Sequence, residues 1–258
     1  MTEGLKLAPE RPGTRSAEGE ITVDASAERV WQALTEAAEL ERWFPLDAKV
    51  EPGAGGHIWM SWRNEYAGKM KILVWNPPSQ LRTAWIFHEG EETGQVTDYL
   101  IETRGGGTVV RAVTSGFPMD ASWDGWVEGT RRGWAFELRS LKHYLERHPG
   151  ENRQVVYLRR RVALSKDEAW ARLQSEPLLA GLVAESRLFD RKPASQIAAV
   201  TPQSDMFRVS VGPGGPAVQQ PEIVFWLSAW GKQEARIEEI RTKWAAMLER
   251  VFPEGTAP

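Results

Sequence analysis

Apolar positions along the chain follow two regimes, alternation in short runs and a spacing of three to four in longer ones, and each change of regime marks an element. ITVDAS reads as a strand that stops at a helix cap, Ser26. In the following ERVWQALTEAAELERWF, the positions Val30, Trp31, Leu34 and Ala38 recur on one helical face. From Lys49 to Ser115 the pattern shortens to GHIWMSW, GKMKILVW, LRTAWIF, VTDYLIE and TVVRAVTS. The separators PGAGG, NPPSQ, HEGEETG and TRGGG are clusters of turn-forming residues of the kind found between antiparallel strands. A meander of about five strands is predicted, about six with the first.

A long helix comes next, within SWDGWVEGTRRGWAFELRSLKHYLE. At about 100° per residue, Trp126, Val127, Thr130, Trp134, Glu137, Leu138, Leu141 and Leu145 share a broad stripe, with Arg131, Arg132, Arg139 and Lys142 opposite. A sheet with such a stripe laid over it makes an α+β domain. RHPGENRQ then reads as a linker, and the plan repeats. RQVVYLRRRVALSKDEAWARLQ supplies a strand and a helix, with Ser165 and Glu168 as a capping box ahead of Trp170. SQIAAVT, MFRVSVG and EIVFWLSAW read as strands, and KQEARIEEIRTKWAAMLERVF as a second long helix. With Trp31 set against Trp170 and Trp134 against Trp244, the second copy is shorter by roughly two strands and their turns. In that register Thr130 falls on Ile240 and Glu137 on Met247. A polar-lined pocket is therefore expected in the first domain and a filled core in the second.

Composition narrows the function classes. The chain has 258 residues, a net charge of -3 and no cysteine. Such a charge gives no general attraction for nucleic acid or anionic membrane, and without cysteine there is no thiolate nucleophile and no Cys-rich zinc site. The N-terminal segment lacks the apolar core of a signal peptide, and no run of about eighteen apolar residues would span a membrane. A cytoplasmic protein with a tail over residues 1–17 is expected.

The run ITVDASAERVWQALTEAAELERWFP, the turn PGAGGHIWM, the segment VWNPPSQLRTAW, the hairpin GGGTVVRAVTSGF and the closing WDGWVEGTRRGWAFELRSLKHYLE follow one another in a characteristic order. In this they resemble the START-like helix-grip (SRPBCC) superfamily, and within it the branch named after the activator of Hsp90 ATPase. The resemblance covers about residues 18–148. It implies a curved antiparallel sheet wrapped around a long C-terminal helix, with a cavity between them. Members include lipid carriers, hormone receptors, polyketide aromatases and cyclases, and co-chaperone-like proteins, and fold alone does not choose among these. The expected organisation is a disordered tail at 1–17, a helix-grip domain at 18–148, a linker at 149–154 and a shortened helix-grip-like copy at 155–253.

The four histidines, His57, His88, His143 and His148, are scattered and show no metal-binding spacing. PGAGG and GPGGP lack the strand-to-helix context of a phosphate loop, and no nucleophile elbow is present. The acidic EGEETG reads as a hairpin loop. No catalytic residue, metal or cofactor is assigned. The remaining candidates are aromatic walls with a few polar groups, the pattern of a small-molecule site. They are Trp59, Trp85, Phe87, Tyr99, Trp126, Thr130, Trp134 and Glu137, with Arg63, Asp98 and Arg111 as further polar contacts. Because a shift of one residue reverses every strand side chain, the facing of the strand residues stays open. The leading expectation is a non-catalytic protein that holds a small apolar or aromatic ligand in its first domain. Two alternatives are a co-chaperone-like module with a chaperone or other protein as partner, and a cyclase or aromatase-like enzyme with Glu137 or Asp98 as base.

Overall fold

The computed structural model of the chain describes residues 12–63, 67–88, 91–192, 195–213 and 220–256. It divides into two compact units, Met1–Glu151 and Asn152–Pro258. Of the expected tail, residues 1–11 lie outside the described residues, and the first strand already begins at Thr14.

In the first unit, β1 (Thr14–Val23) leads to α1 (Ala27–Thr35), whose N-cap Ser26 accepts a hydrogen bond from the Arg29 amide, and then to the short α2 (Ala37–Leu40). The meander follows as β2 (Asp47–Glu51), β3 (His57–Ser61), β4 (Ala67–Asn76), β5 (Gln80–His88), β6 (Glu91–Arg104) and β7 (Gly107–Pro118). The sheet thus has seven strands, in the order β1-β7-β6-β5-β4-β3-β2, where about six were expected. The addition is β2, DAKVE, an edge strand whose charged residues mask the alternation. A single 3-10 turn, Ala121–Trp123, opens onto the long α3 (Asp124–Arg147).

The register fixes the two faces of this sheet. Trp134 of α3 donates from Nε1 to Thr114 Oγ1 at 3.0 Å, so Thr114 points inward. Thr114 pairs with Thr97 and Thr97 with Thr83, while Ala112, Tyr99 and Leu81 form the next inward row. Gly19, opposite Ala112, lets the helix approach closely; a Cβ there would stand 3.0 Å from the Trp134 Cβ and 3.2 Å from Leu138 Cδ1.

At its C-terminal end α3 is clamped by a buried carboxylate. Glu39, 7% exposed, accepts from Arg29, Arg42 and Tyr144, the last at 2.6 Å. The Tyr144 hydroxyl itself accepts from Arg29 at 2.8 Å and from the Gly150 amide at 3.1 Å. Burial pushes the Glu39 pKa upward, but the hydrogen bonds from Tyr144 and Arg29 and the charges of Arg29 and Arg42 outweigh it and hold the carboxyl below its usual value.

The second unit repeats the plan with five strands: β8 (Arg153–Arg161), β9 (Arg187–Lys192), β10 (Gln196–Val200), β11 (Met206–Pro213) and β12 (Pro221–Trp230). Their order is β8-β12-β11-β10-β9, so the positions of β2 and β3 in the first sheet have no counterpart. After β8 come α4 (Lys166–Gln174), with the capping box of Ser165 and Glu168 formed, and α5 (Pro177–Glu185). The final α6 (Glu234–Val251) lies over the sheet, where Trp244 stacks on Phe225 with ring centroids 3.9 Å apart. Two elements here depart from expectation, the charged edge strand β9 and the helix α5, whose sequence PLLAGLVAE is apolar on nearly every side and so shows no period.

Candidate functional site

The inner face of α3 changes character along its length. Around the helix, Leu138, Trp134, Leu141, Thr130, Glu137, Tyr144 and Ser140 fall in that order on one continuous arc at about 100° per residue. Its C-terminal part is closed: Leu141, Tyr144 and Ser140 are buried, and Ser140 Oγ donates to the Trp43 carbonyl at 2.9 Å. Its N-terminal part is anchored on one side only, where Val127 packs on Ala17 and Phe117. On the other side Thr130 and Glu137 are half-buried in the middle of the arc, and a Cβ built on Gly129 or Gly133 would meet nothing within 4 Å. The gripping helix therefore borders open space inside the arc that should face the sheet.

Aromatic rings line this region. Trp134 meets Tyr99 edge-on at 5.6 Å and Phe44 at 6.2 Å, and Phe44 meets Trp62 edge-on at 5.4 Å. Tyr99 is buried; burial first, and then the negative charge of Glu137, push its phenol far above the usual range. It is therefore a neutral hydroxyl, able to donate a hydrogen bond but not to act as a base.

The sequence-derived candidates divide under this geometry. Trp134, Tyr99, Thr130 and Glu137 come together, and the register with Met70 and Thr83 puts Trp85 on the same inner face. Trp59 does not join them. Ile58 and Met60 are the inward residues of β3, and the Trp59 ring lies on the opposite face under Lys49 Nζ at 5.3 Å. Trp126 is 50% exposed beside Trp123, at the mouth rather than in the wall. The Phe87 side chain lies outside the described residues, as do residues 89–90 of EGEETG and most of GPGGP; the rest of EGEETG, read as a hairpin loop, begins β6 at Glu91.

Of the further polar contacts, Asp98 and Arg111 lie on the outer face. Asp98 accepts from Gln80 at 2.9 Å and Arg82 at 2.8 Å, and Arg111 is paired with Glu18. Arg63 is exposed, 3.4 Å from Asp47. Asp98 is thereby removed as a candidate base for chemistry in the interior. Phe44 and Trp62 were missed as walls because they sit on a loop and at a strand end, outside any periodic run.

The second unit holds a cleft of about 860 Å³. Leu178, Gly181 and Leu182 of α5 form one wall, Ile240, Lys243 and Met247 of α6 the other, with Leu227 and Trp244 below. As expected of a filled second core, Met247 and Trp244 are buried within it, while Ile240 is half-buried and borders the cleft. Among the described residues, no three His, Asp or Glu side chains are grouped to hold a metal, and no helix is long and apolar enough to cross a membrane.

Residues 24–146 match the family described as "Activator of Hsp90 ATPase homolog 1-like protein". Solved structures with a similar fold include the Aha1 dimer from Colwellia psychrerythraea, at 22% identity and a TM-score of 0.47, covering 53% of this chain and 99% of that one. DynU16, of the dynemicin biosynthetic locus, is 15% identical with a TM-score of 0.46 over 92% of this chain and 96% of its own. The di-domain ARO/CYC BexL, from the BE-7585A biosynthetic pathway, is 14% identical with a TM-score of 0.46 over 92% and 95%. A search of curated protein sequences gives no significant match. The seven-stranded sheet gripping α3 and the family match together place the first unit of this chain in the START-like superfamily, in its activator-of-Hsp90-ATPase-homologue-like branch.

Proposed function

We propose that the first unit is a non-catalytic binding module for a small, largely apolar ligand held between its sheet and α3. One observation carries this reading: Thr130, Gly133 and Glu137 are only half-buried on the inner arc of the helix, and a Cβ at Gly133 would meet nothing within 4 Å, beside the aromatic group of Trp134, Tyr99 and Phe44. Aromatic walls supply apolar area, while Glu137, Thr130 and the neutral Tyr99 hydroxyl orient a polar substituent of the ligand.

Native mass spectrometry of the freshly purified chain, set against its denatured mass, tests this. The expected result is a non-covalent adduct that vanishes on denaturation and is absent from Gly133→Leu. Leucine would project into the open space, and it raises helix propensity by roughly 0.8 kcal/mol relative to glycine, so the fold is retained. An adduct that persists unchanged in Gly133→Leu would refute the placement.

A protein-interaction role is the second reading, because Met119 and Trp126 are 60% and 50% exposed near the start of α3. Retention of a chaperone in a pull-down, abolished by Met119→Ser with Trp126→Ser, would favour it.

A further inference from the structure

We infer that the second unit has a ligand site of its own, in the cleft between α5 and α6, selective for an amphipathic carboxylate. The inference stands independently of the first-unit reading. The cleft's volume of about 860 Å³ falls within the size range of small-molecule sites, roughly 300–1,000 Å³. It opens because α5 does not lie along α6. Arg250 and Glu176 pin the N-terminal end of α5 to the C-terminal end of α6 through contacts of 2.6 and 3.3 Å, and the half-buried Leu178, Leu182 and Ile240, packed on the core that holds Met247, line the cleft.

The charges on the rim choose the ligand. Arg236, Lys243 and Arg250 recur every seven residues and so share one face of α6. Arg236 is engaged by Glu239 at 2.8 Å and Arg250 by Glu176, whereas Lys243 has no ion-pair partner among the described residues. Of the lining carboxylates, Glu176 and Glu239 are those partners, and Asp205 lies 3.5 Å from Lys232. Glu185 stands at the exposed C-terminal end of α5, while Lys243 is one turn from both Ile240 and Met247, so the cation borders the apolar floor. In the first long helix the equivalent of Lys243 is Gly133, and Met247 takes the place of Glu137. In this register the charges are one helical turn apart, an acid at Glu137 in the first helix and a base at Lys243 in the second. An apolar chain lying against Trp244 and Leu227 would bring a terminal carboxylate to the Lys243 ammonium.

Isothermal titration calorimetry of the full chain with sodium decanoate, 1-decanol and decyltrimethylammonium, each below its aggregation limit, tests the inference. Measurements are made on the wild type and on Gly133→Leu, Gly181→Leu and Lys243→Gln. Gly181 is helical and exposed, and a Cβ there meets nothing within 4 Å, so leucine enters the cleft without a clash. Expected are decanoate binding retained in Gly133→Leu, lost in Gly181→Leu and weakened about tenfold in Lys243→Gln, equivalent to about 1.4 kcal/mol. Decanol should bind about as weakly to the wild type as decanoate binds to Lys243→Gln, and the ammonium more weakly still. Absence of decanoate binding overturns the site. Loss in Gly133→Leu with retention in Gly181→Leu places the ligand in the first unit and also overturns it. Equal binding of all three probes overturns the carboxylate selectivity.

Discussion

Replacing Glu39 by alanine removes the one acceptor on which Arg29, Arg42 and Tyr144 converge. These groups were ordered and partly desolvated around a carboxylate, and without it a buried hydroxyl and two guanidinium groups each lose their shared acceptor. Breaking such a buried pair by deleting one side costs about 3–5 kcal/mol. For a unit of this size that corresponds to a fall in melting temperature of roughly 6–20 °C. Scanning calorimetry of the full chain is the suitable assay, because two units need not unfold as one transition and the shift should appear only in that of the first. Glu39→Gln keeps one acceptor oxygen and loses the charge, so it should fall between wild type and alanine.

The pH dependence has a definite sign. The folded-state pKa of Glu39 lies below its ordinary value of 4.5, so its contribution is complete above that value and is lost as pH falls through the lower folded pKa. The gap between wild type and Glu39→Gln should therefore close on acidification below about pH 4 and stay constant between pH 6 and 8. A melting shift under about 2 °C for Glu39→Ala, or a gap that closes on the alkaline side, would refute the clamp.

Three further outcomes follow from the geometry. Gly19→Val should destabilise the first unit by about 1–3 kcal/mol in urea unfolding, because its side chain meets Trp134 and Leu138 where the helix is closest to β1. Trp134→Ala should cost about 3–5 kcal/mol while Trp59→Ala costs under about 1 kcal/mol, since the first ring fills the interior and the second lies on the outer face; equal losses would contradict the assigned facing. Ser165→Ala should lower the melting temperature of the second unit alone by the equivalent of about 1 kcal/mol, through loss of the capping box that starts α4.

Local chemistry determined much of what is found here. Caps at Ser26 and Ser165, glycine turns, and runs of period two or three to four located the two long helices and most strands, because those signals act between residues a few positions apart. Elements whose sequences lack a period escaped: the charged edge strands β2 and β9, and the uniformly apolar α5. The site depended on longer-range facts. Alternation could not say whether Trp59 or its neighbours faced the helix, because the choice rests on pairing with distant strands.

Helical spacing placed Trp126 on the same stripe as Trp134, but not how far along α3 the packing extends, and the first proved exposed where the second is buried. The apolar pair Ile240 and Met247 carried the same sequence signal, yet Met247 is buried in the core and Ile240 is half-buried beside the cleft. Only the tertiary arrangement decided this. Strands equivalent to β2 and β3 are missing from the second sheet, and the α6 face buries Trp244 and Met247 in the core while Ile240 at its edge lines the cleft.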